Sequence, residues 1–113
     1  MGSPITTHVL DTARGGPAPG IAVTLEQERD GNFERVGGGI TDHDGRVPDL
    51  LSASSLEAAT YRITFETRTY FDAIGVDGFY PYAAIVFQIR KPDEHYHVPL
   101  LLSPFGYSTY RGS

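Results

Sequence analysis

Apolar and polar residues alternate along this chain in short runs, broken by clusters of Gly, Pro and Asp, and no helical period is sustained long enough for a major helix. The pattern predicts an all-β protein. Ile5 to Asp11 reads as a first strand, followed by the breaker Ala13 to Gly20. Ile21 to Glu28 comes next, with Ile21, Val23 and Leu25 facing inward and Ala22, Thr24 and Glu26 outward. A turn at Asp30-Gly31-Asn32 leads into Phe33 to Thr41, where Gly37-Gly38-Gly39 weakens the strand and suits an edge or a bulge.

Asp42-His43-Asp44-Gly45 supplies residues that tolerate left-handed backbone, so the strand around Arg46 and Val47 is expected to pair back on its predecessor. Leu50 to Thr60 reads as a looser connection. Tyr61 to Thr67 alternates Tyr61, Ile63 and Phe65 against Arg62, Thr64 and Glu66, and Thr69 to Gly75 is predicted as a short helix capped by Thr69 and ended by Gly75. The turn-rich stretch Asp77 to Pro81 precedes a strand from Ala83 to Arg90. His95 to Leu102 and Tyr107 to Arg111 then form a hairpin around Ser103-Pro104-Phe105-Gly106. No internal repeat or linker divides the chain, so residues 1–113 are expected to make a single domain.

Composition narrows the function. At 113 residues the chain is long enough to bury roughly two thirds of its unfolded surface and to fold without staples. Cysteine is absent, which removes disulfides, thiolate metal sites and a cysteine nucleophile. A net charge of −5 with no basic patch argues against a nucleic-acid partner. No apolar run approaches membrane-spanning length and the first residues lack the pattern of a secretory signal, so no membrane association and a cytoplasmic location are expected.

Strand periodicity sorts the polar residues. In the last hairpin Val98, Leu100 and Leu102 form an apolar face fit for the core, which turns His97, Pro99 and Leu101 outward. Ser108, Tyr110 and Gly112 share a face of the returning arm. If Val9 is core, His8 and Leu10 also point outward, and two outward histidines beside leucines and a proline describe a surface that wants a partner. His95 and His97 have a spacing compatible with two metal ligands, but no third is signalled. Asp42 to Gly45 opens like a calcium loop but lacks its closing acidic ligand, and a hairpin turn is the better account. The remaining chemistry is histidines able to move a proton near neutral pH, an arginine able to hold an oxyanion, and a terminal carboxylate. No nucleophile elbow, phosphate loop or paired acidic motif accompanies them.

Ile5-Thr-Thr-His-Val-Leu-Asp-Thr-Ala-Arg-Gly-Gly-Pro-Ala18, Thr41-Asp-His-Asp-Gly-Arg46, and above all His95 through Tyr110-Arg111-Gly112-Ser113 resemble the transthyretin-related 5-hydroxyisourate hydrolases. The resemblance runs through the whole chain, with Tyr70-Phe71 and Phe79-Tyr80-Pro81 in order. Transthyretin shares the fold but lacks the Tyr-Arg-Gly-Ser ending. Departures are small: Tyr82 stands where many relatives carry an acidic residue, and Gly37 to Gly39 is unusually glycine-rich.

The resemblance implies a transthyretin-like sandwich of two four-stranded sheets with one short helix, assembled as a homotetramer, a dimer of dimers around a channel. The outward face carrying His8, Leu10, His97, Pro99, Leu101, Ser108 and Tyr110 would line that channel, with active sites at the dimer–dimer interface. The implied reaction is hydrolytic ring opening of 5-hydroxyisourate in urate degradation, with no cofactor and no metal. Carried over position by position, the catalytic residues are His8, Arg46, His97 and Ser113, and the substrate-binding residues are His8, Arg46, Tyr110, Arg111 and Gly112. The two histidines would share the proton handling, Arg46 would hold the developing oxyanion, Tyr110 would hold the ring, and Ser113 would orient water or a histidine through its hydroxyl or carboxylate. Which histidine is the base stays open, and His95 receives no chemical role. Two other readings compete: a thyroid-hormone-type small-molecule carrier without turnover, and a structural sandwich that binds another protein.

Overall fold

The computed structural model describes residues 3–52 and 56–112. Among the described residues eight strands and one helix follow one another as β1 (Ile5–Asp11), β2 (Gly16–Pro17), β3 (Ala22–Arg29), β4 (Asn32–Ile40), β5 (Ala59–Phe65), α1 (Thr67–Ala73), β6 (Ala83–Ile89), β7 (Tyr96–Ser103) and β8 (Gly106–Thr109). They form two four-stranded sheets, ordered β2-β1-β7-β8 and β4-β3-β5-β6. The all-β sandwich with one short helix is therefore the observed architecture. Among the described residues no helix is long and apolar enough to cross a membrane.

The period-two pattern holds along β1 but not throughout β7, where Pro99, expected to face outward, is buried between Val98 and Leu100. Along β1 every second residue is buried, so Ile5, Thr7, Val9 and Asp11 enter the sandwich while Thr6, His8 and Leu10 face out. From the opposite sheet Val23, Leu25, Tyr61, Ile63 and Phe65 meet Val9, Val98, Leu100 and Leu102. Tyr70 and Phe71 of α1 and the loop residues Leu50 and Leu51 join the same buried cluster. β1 and β7 run parallel, with Thr6 opposite His97 and His8 opposite Pro99. That register places Thr6, His8 and His97 on one outward face.

Burial of Asp11 is offset locally. Its Oδ1 accepts the backbone N–H groups of Ala13 and Arg14 at 3.0 and 3.1 Å, and its Oδ2 accepts the Tyr70 hydroxyl at 2.7 Å. Arg14 in turn donates to the Tyr70 oxygen at 3.3 Å. The arrangement ties the helix to the end of β1, and burial is the largest cause of the raised pKa of Tyr70.

Several boundaries differ from the sequence reading. The breaker Ala13 to Gly20 contains β2, because the turn closed by Asp11 brings Gly16 and Pro17 back onto β1. The helix starts at Thr67, with Glu66 at its N-cap position and no side-chain cap, so Thr69 is not the cap. Thr67 instead sends its hydroxyl to the Tyr80 carbonyl at 3.2 Å. Gly75, at φ +71°, does end it, its N–H returning to Asp72 at 3.2 Å. The expected edge and bulge at Gly37 to Gly39 are present: β4 lies at the sheet edge, and the register slips so that Val36 opposes nothing between Leu25 paired with Gly37 and Glu26 paired with Arg35. Part of the looser connection, residues 53–55, lies outside the described residues, and β5 already begins at Ala59.

Candidate active site

The expected strand around Arg46 and Val47, paired back on its predecessor, is not formed among the described residues. Arg46 forms an antiparallel bridge with His8 of β1, and the Val9 N–H donates to the Gly45 carbonyl at 2.8 Å. The cause is local. Asp42 Oδ1 accepts the N–H groups of Asp44 and Arg46 at 2.9 and 3.1 Å, and the Asp42 N–H closes onto the Arg46 carbonyl at 2.7 Å. Gly45 takes φ +77°, and a Cβ there would fall on the Val9 carbonyl oxygen and within 3.2 Å of Pro17. Only glycine lets this turn lie flat against β1. The two backbone hydrogen bonds also hold the Asp42 carboxyl below its ordinary pKa, the bond to Arg46 contributing most.

The chain segment after β8 arrives from the other side. Thr109 is the last residue paired to β7, opposite Leu100, and its hydroxyl donates to the Pro99 carbonyl at 2.7 Å. Three residues later the chain touches β7 again, where the Gly112 N–H donates to the His97 carbonyl at 2.8 Å. A side chain at Gly112 would collide with the His97 ring, whose Cδ2 would lie 2.6 Å from its Cβ. His8, Arg46, His97 and Gly112 thus meet across β1 and β7, brought together from four separated stretches of sequence.

His97 is half-buried, and its pKa lies below the ordinary histidine value. Burial is the largest cause, followed by the positive charge of Arg46 and then by His8 and His95; a hydrogen bond to the backbone of Thr6 acts the other way. The ring is therefore neutral near pH 7 and able to accept a proton. Thr6 Oγ1 lies 2.8 Å from its Nδ1 and 2.9 Å from Nε2 of His95. Both ends of the His95–His97 pair are turned to this hydroxyl, a contact the strand alternation could have located but that was not singled out in the sequence.

The remaining expected site residues sit nearby with different surroundings. Tyr110 is 57% exposed. Arg111 is engaged with its own strand neighbours: its guanidinium pairs with Glu94 at 3.0 Å, reaches the His95 carbonyl at 3.4 Å and covers the Tyr96 ring at 4.3 Å. Ser113 lies outside the described residues. A cavity of about 570 Å³ opens between β6 and the end of β8, and although Tyr110 and Arg111 line it, His8, Arg46 and His97 do not. The carboxylates and ring of Asp42, His43 and Asp44 lie within 4.8 Å of one another, but Asp42 is already committed to the turn.

The model of the HIUase/Transthyretin family matches residues 5–112. A 5-hydroxyisourate hydrolase of Salmonella dublin is 46% identical over 109 residues, covering 96% of this chain and 80% of that protein. Among solved structures, Klebsiella pneumoniae 5-hydroxyisourate hydrolase superposes with a TM-score of 0.85 at 38% identity, covering 96% of this chain and 97% of the other. Sea bream transthyretin in complex with thyroxine superposes with a TM-score of 0.91 at 33% identity, covering 97% and 95%.

Proposed function

The chain belongs to the HIUase/Transthyretin family and hydrolyses 5-hydroxyisourate in urate degradation; we propose that it does so with His8, His97 and Arg46 as its working side chains. The observation that carries this assignment is the bridge between His8 and Arg46 beside a neutral, half-buried His97. A carrier needs no such set. Among the solved structures the hydrolase also exceeds transthyretin in identity, 38% against 33%, although the transthyretin backbone superposes well.

In this reading a water molecule lies between the ring carbonyl of the substrate and His97. His97 takes the water proton at Nε2 as the oxygen attacks the carbonyl carbon, a contribution of ~10²–10⁴ in rate. The electron pair of the carbonyl moves to oxygen, and the Arg46 guanidinium stabilises the negative charge that develops there. Collapse of the tetrahedral intermediate breaks the ring C–N bond, and the leaving nitrogen takes a proton from the imidazole pair, with His8 sharing the transfer. The product is the open carboxylate 2-oxo-4-hydroxy-4-carboxy-5-ureidoimidazoline. Tyr110, Arg111 and Gly112 frame the substrate, Gly112 by leaving room for His97, and Ser113 orients water or a histidine.

The working form is a homotetramer, with sites formed where two dimers face each other. Its support is the outward face of β1 and β7, together with apolar side chains left open to solvent by one chain: Phe79 is 68% exposed, Phe105 74% and Val86 58%. Light scattering at working concentration tests the assembly. A monomeric mass in an active preparation rules it out, and thyroxine binding without turnover of 5-hydroxyisourate would reverse the functional assignment.

A further inference from the structure

We propose that Thr6 is a positioning residue for the reaction: its hydroxyl, held between Nδ1 of His97 and Nε2 of His95, keeps the His97 proton on Nδ1 and leaves Nε2 free as the base. The inference rests on the hydrolase reading above and adds to it the group that selects the reactive tautomer. Thr6 stands directly opposite His97 in the parallel register of β1 and β7, on the same outward face as His8. Its Oγ1 is 2.8 Å from His97 Nδ1 and 2.9 Å from His95 Nε2, both within hydrogen-bonding distance.

A hydroxyl has one proton and two lone pairs, whereas a neutral imidazole has one nitrogen that donates and one that accepts. Two arrangements use both contacts with the single hydroxyl proton. Either Thr6 donates to His97 and accepts from His95, or it accepts from His97 and donates to His95. The role of His97 as the base selects between them. Only the second leaves Nε2 of His97 without a proton, as a base that takes one from water must be. In that arrangement the His97 nitrogen on the Thr6 side carries the proton and donates it to Thr6 Oγ1.

The chain of donors is then His97 Nδ1–H to Thr6 Oγ1, and Thr6 O–H to His95 Nε2. His95 is exposed. His95 completes the chain as the acceptor for the hydroxyl proton and touches no reacting atom. When Nε2 of His97 takes a proton from water, the ring becomes a cation whose Nδ1–H bond to Thr6 strengthens, because charge-assisted hydrogen bonds are stronger than neutral ones. The contact thus stabilises the state formed during attack as well as the tautomer that precedes it.

Long-range proton–nitrogen correlation spectra of the imidazoles in the full chain read the tautomers without substrate. The expected result is His97 protonated on Nδ1 in the native protein and loss of that preference in Thr6→Val, which removes the hydroxyl but keeps the shape. Steady-state kinetics should show kcat of Thr6→Val lowered by about 10- to 100-fold, the range for partners that orient a functional imidazole, with KM little changed. Thr6→Ser should restore both signatures. A native His97 protonated on Nε2, or a Thr6→Val variant with native kcat, overturns the proposal. Should Thr6→Val fail to fold, the native spectrum and Thr6→Ser still decide. His97→Ala separates the two layers: if that variant keeps native activity, the base assignment itself fails, whereas a large loss there beside a native Thr6→Val removes only the role of Thr6.

Discussion

Gly112 is packed against His97 so closely that the imidazole occupies the space a side chain at 112 would need: its N–H donates to the His97 carbonyl at 2.8 Å, and an added Cβ would stand 2.6 Å from Cδ2 of the ring. Contacts that short do not persist, so either the ring or the terminal strand must move. Gly112→Ala is expected to remain folded, since the change lies outside the core, while kcat falls by ~10²-fold or more through misplacement of the base. Circular dichroism and steady-state kinetics on one preparation check both halves.

The pH dependence follows from the direction of one pKa. Burial first and Arg46 second push His97 below the ordinary histidine value of about 6.5. A lowered pKa means the neutral, base-competent form persists below neutrality, so kcat/KM should decline only as pH falls through that lowered value. The same sign governs stability: the folded ring resists a proton that the unfolded chain accepts, so this contribution is present above the unfolded value and is lost as pH falls through the folded one. Removing Arg46 removes a like charge, and the His97 resonance in Arg46→Ala should titrate at higher pH than in the native protein.

The Asp42–Arg46 turn is expected to control the site through Gly45. Its φ of +77° and its approach to the Val9 carbonyl leave no room for a methyl group. Gly45→Ala should cost about 1–3 kcal/mol of stability from backbone strain alone, and more from the contact. As Arg46 reaches β1 through this turn, activity should fall further than the lost stability explains. Urea unfolding beside kinetics at a temperature where the variant is folded checks this.

Tyr70→Phe probes the buried carboxylate. The variant removes the hydroxyl that donates to Asp11 at 2.7 Å, while the backbone bonds from Ala13 and Arg14 remain. A loss of about 1–3 kcal/mol is expected from leaving one oxygen of a buried group unsatisfied, measured as a lower urea midpoint with an unchanged slope.

Most strands were legible because the alternation along β1, β3 and β5 is regular, while β7 breaks it at Pro99. β1, β3 and β5 each bury one face, and His8 and His97 turn outward because Val9 and Val98 turn inward. What the alternation could not carry was how separate segments meet. Asp42 to Gly45 announces a tight turn, but the partner of Arg46 is a strand more than thirty residues earlier, chosen by the approach of Gly45 to Val9. The helix start was misplaced because Thr69 resembles a cap, whereas Thr67 found its partner in the Tyr80 carbonyl across the fold. Thr6 is an unremarkable strand residue by pattern. Only the parallel register of β1 on β7 sets it between two imidazoles.

The most direct test of the account is the ultraviolet decay of 5-hydroxyisourate, generated in place by urate oxidase, in the presence of the native protein and of His8→Ala and His97→Ala variants shown to be folded. The account predicts acceleration by the native chain and a loss of ~10²–10⁴ in rate in the histidine variants. Decay at the spontaneous rate with the native protein, or undiminished acceleration by both variants, would contradict it.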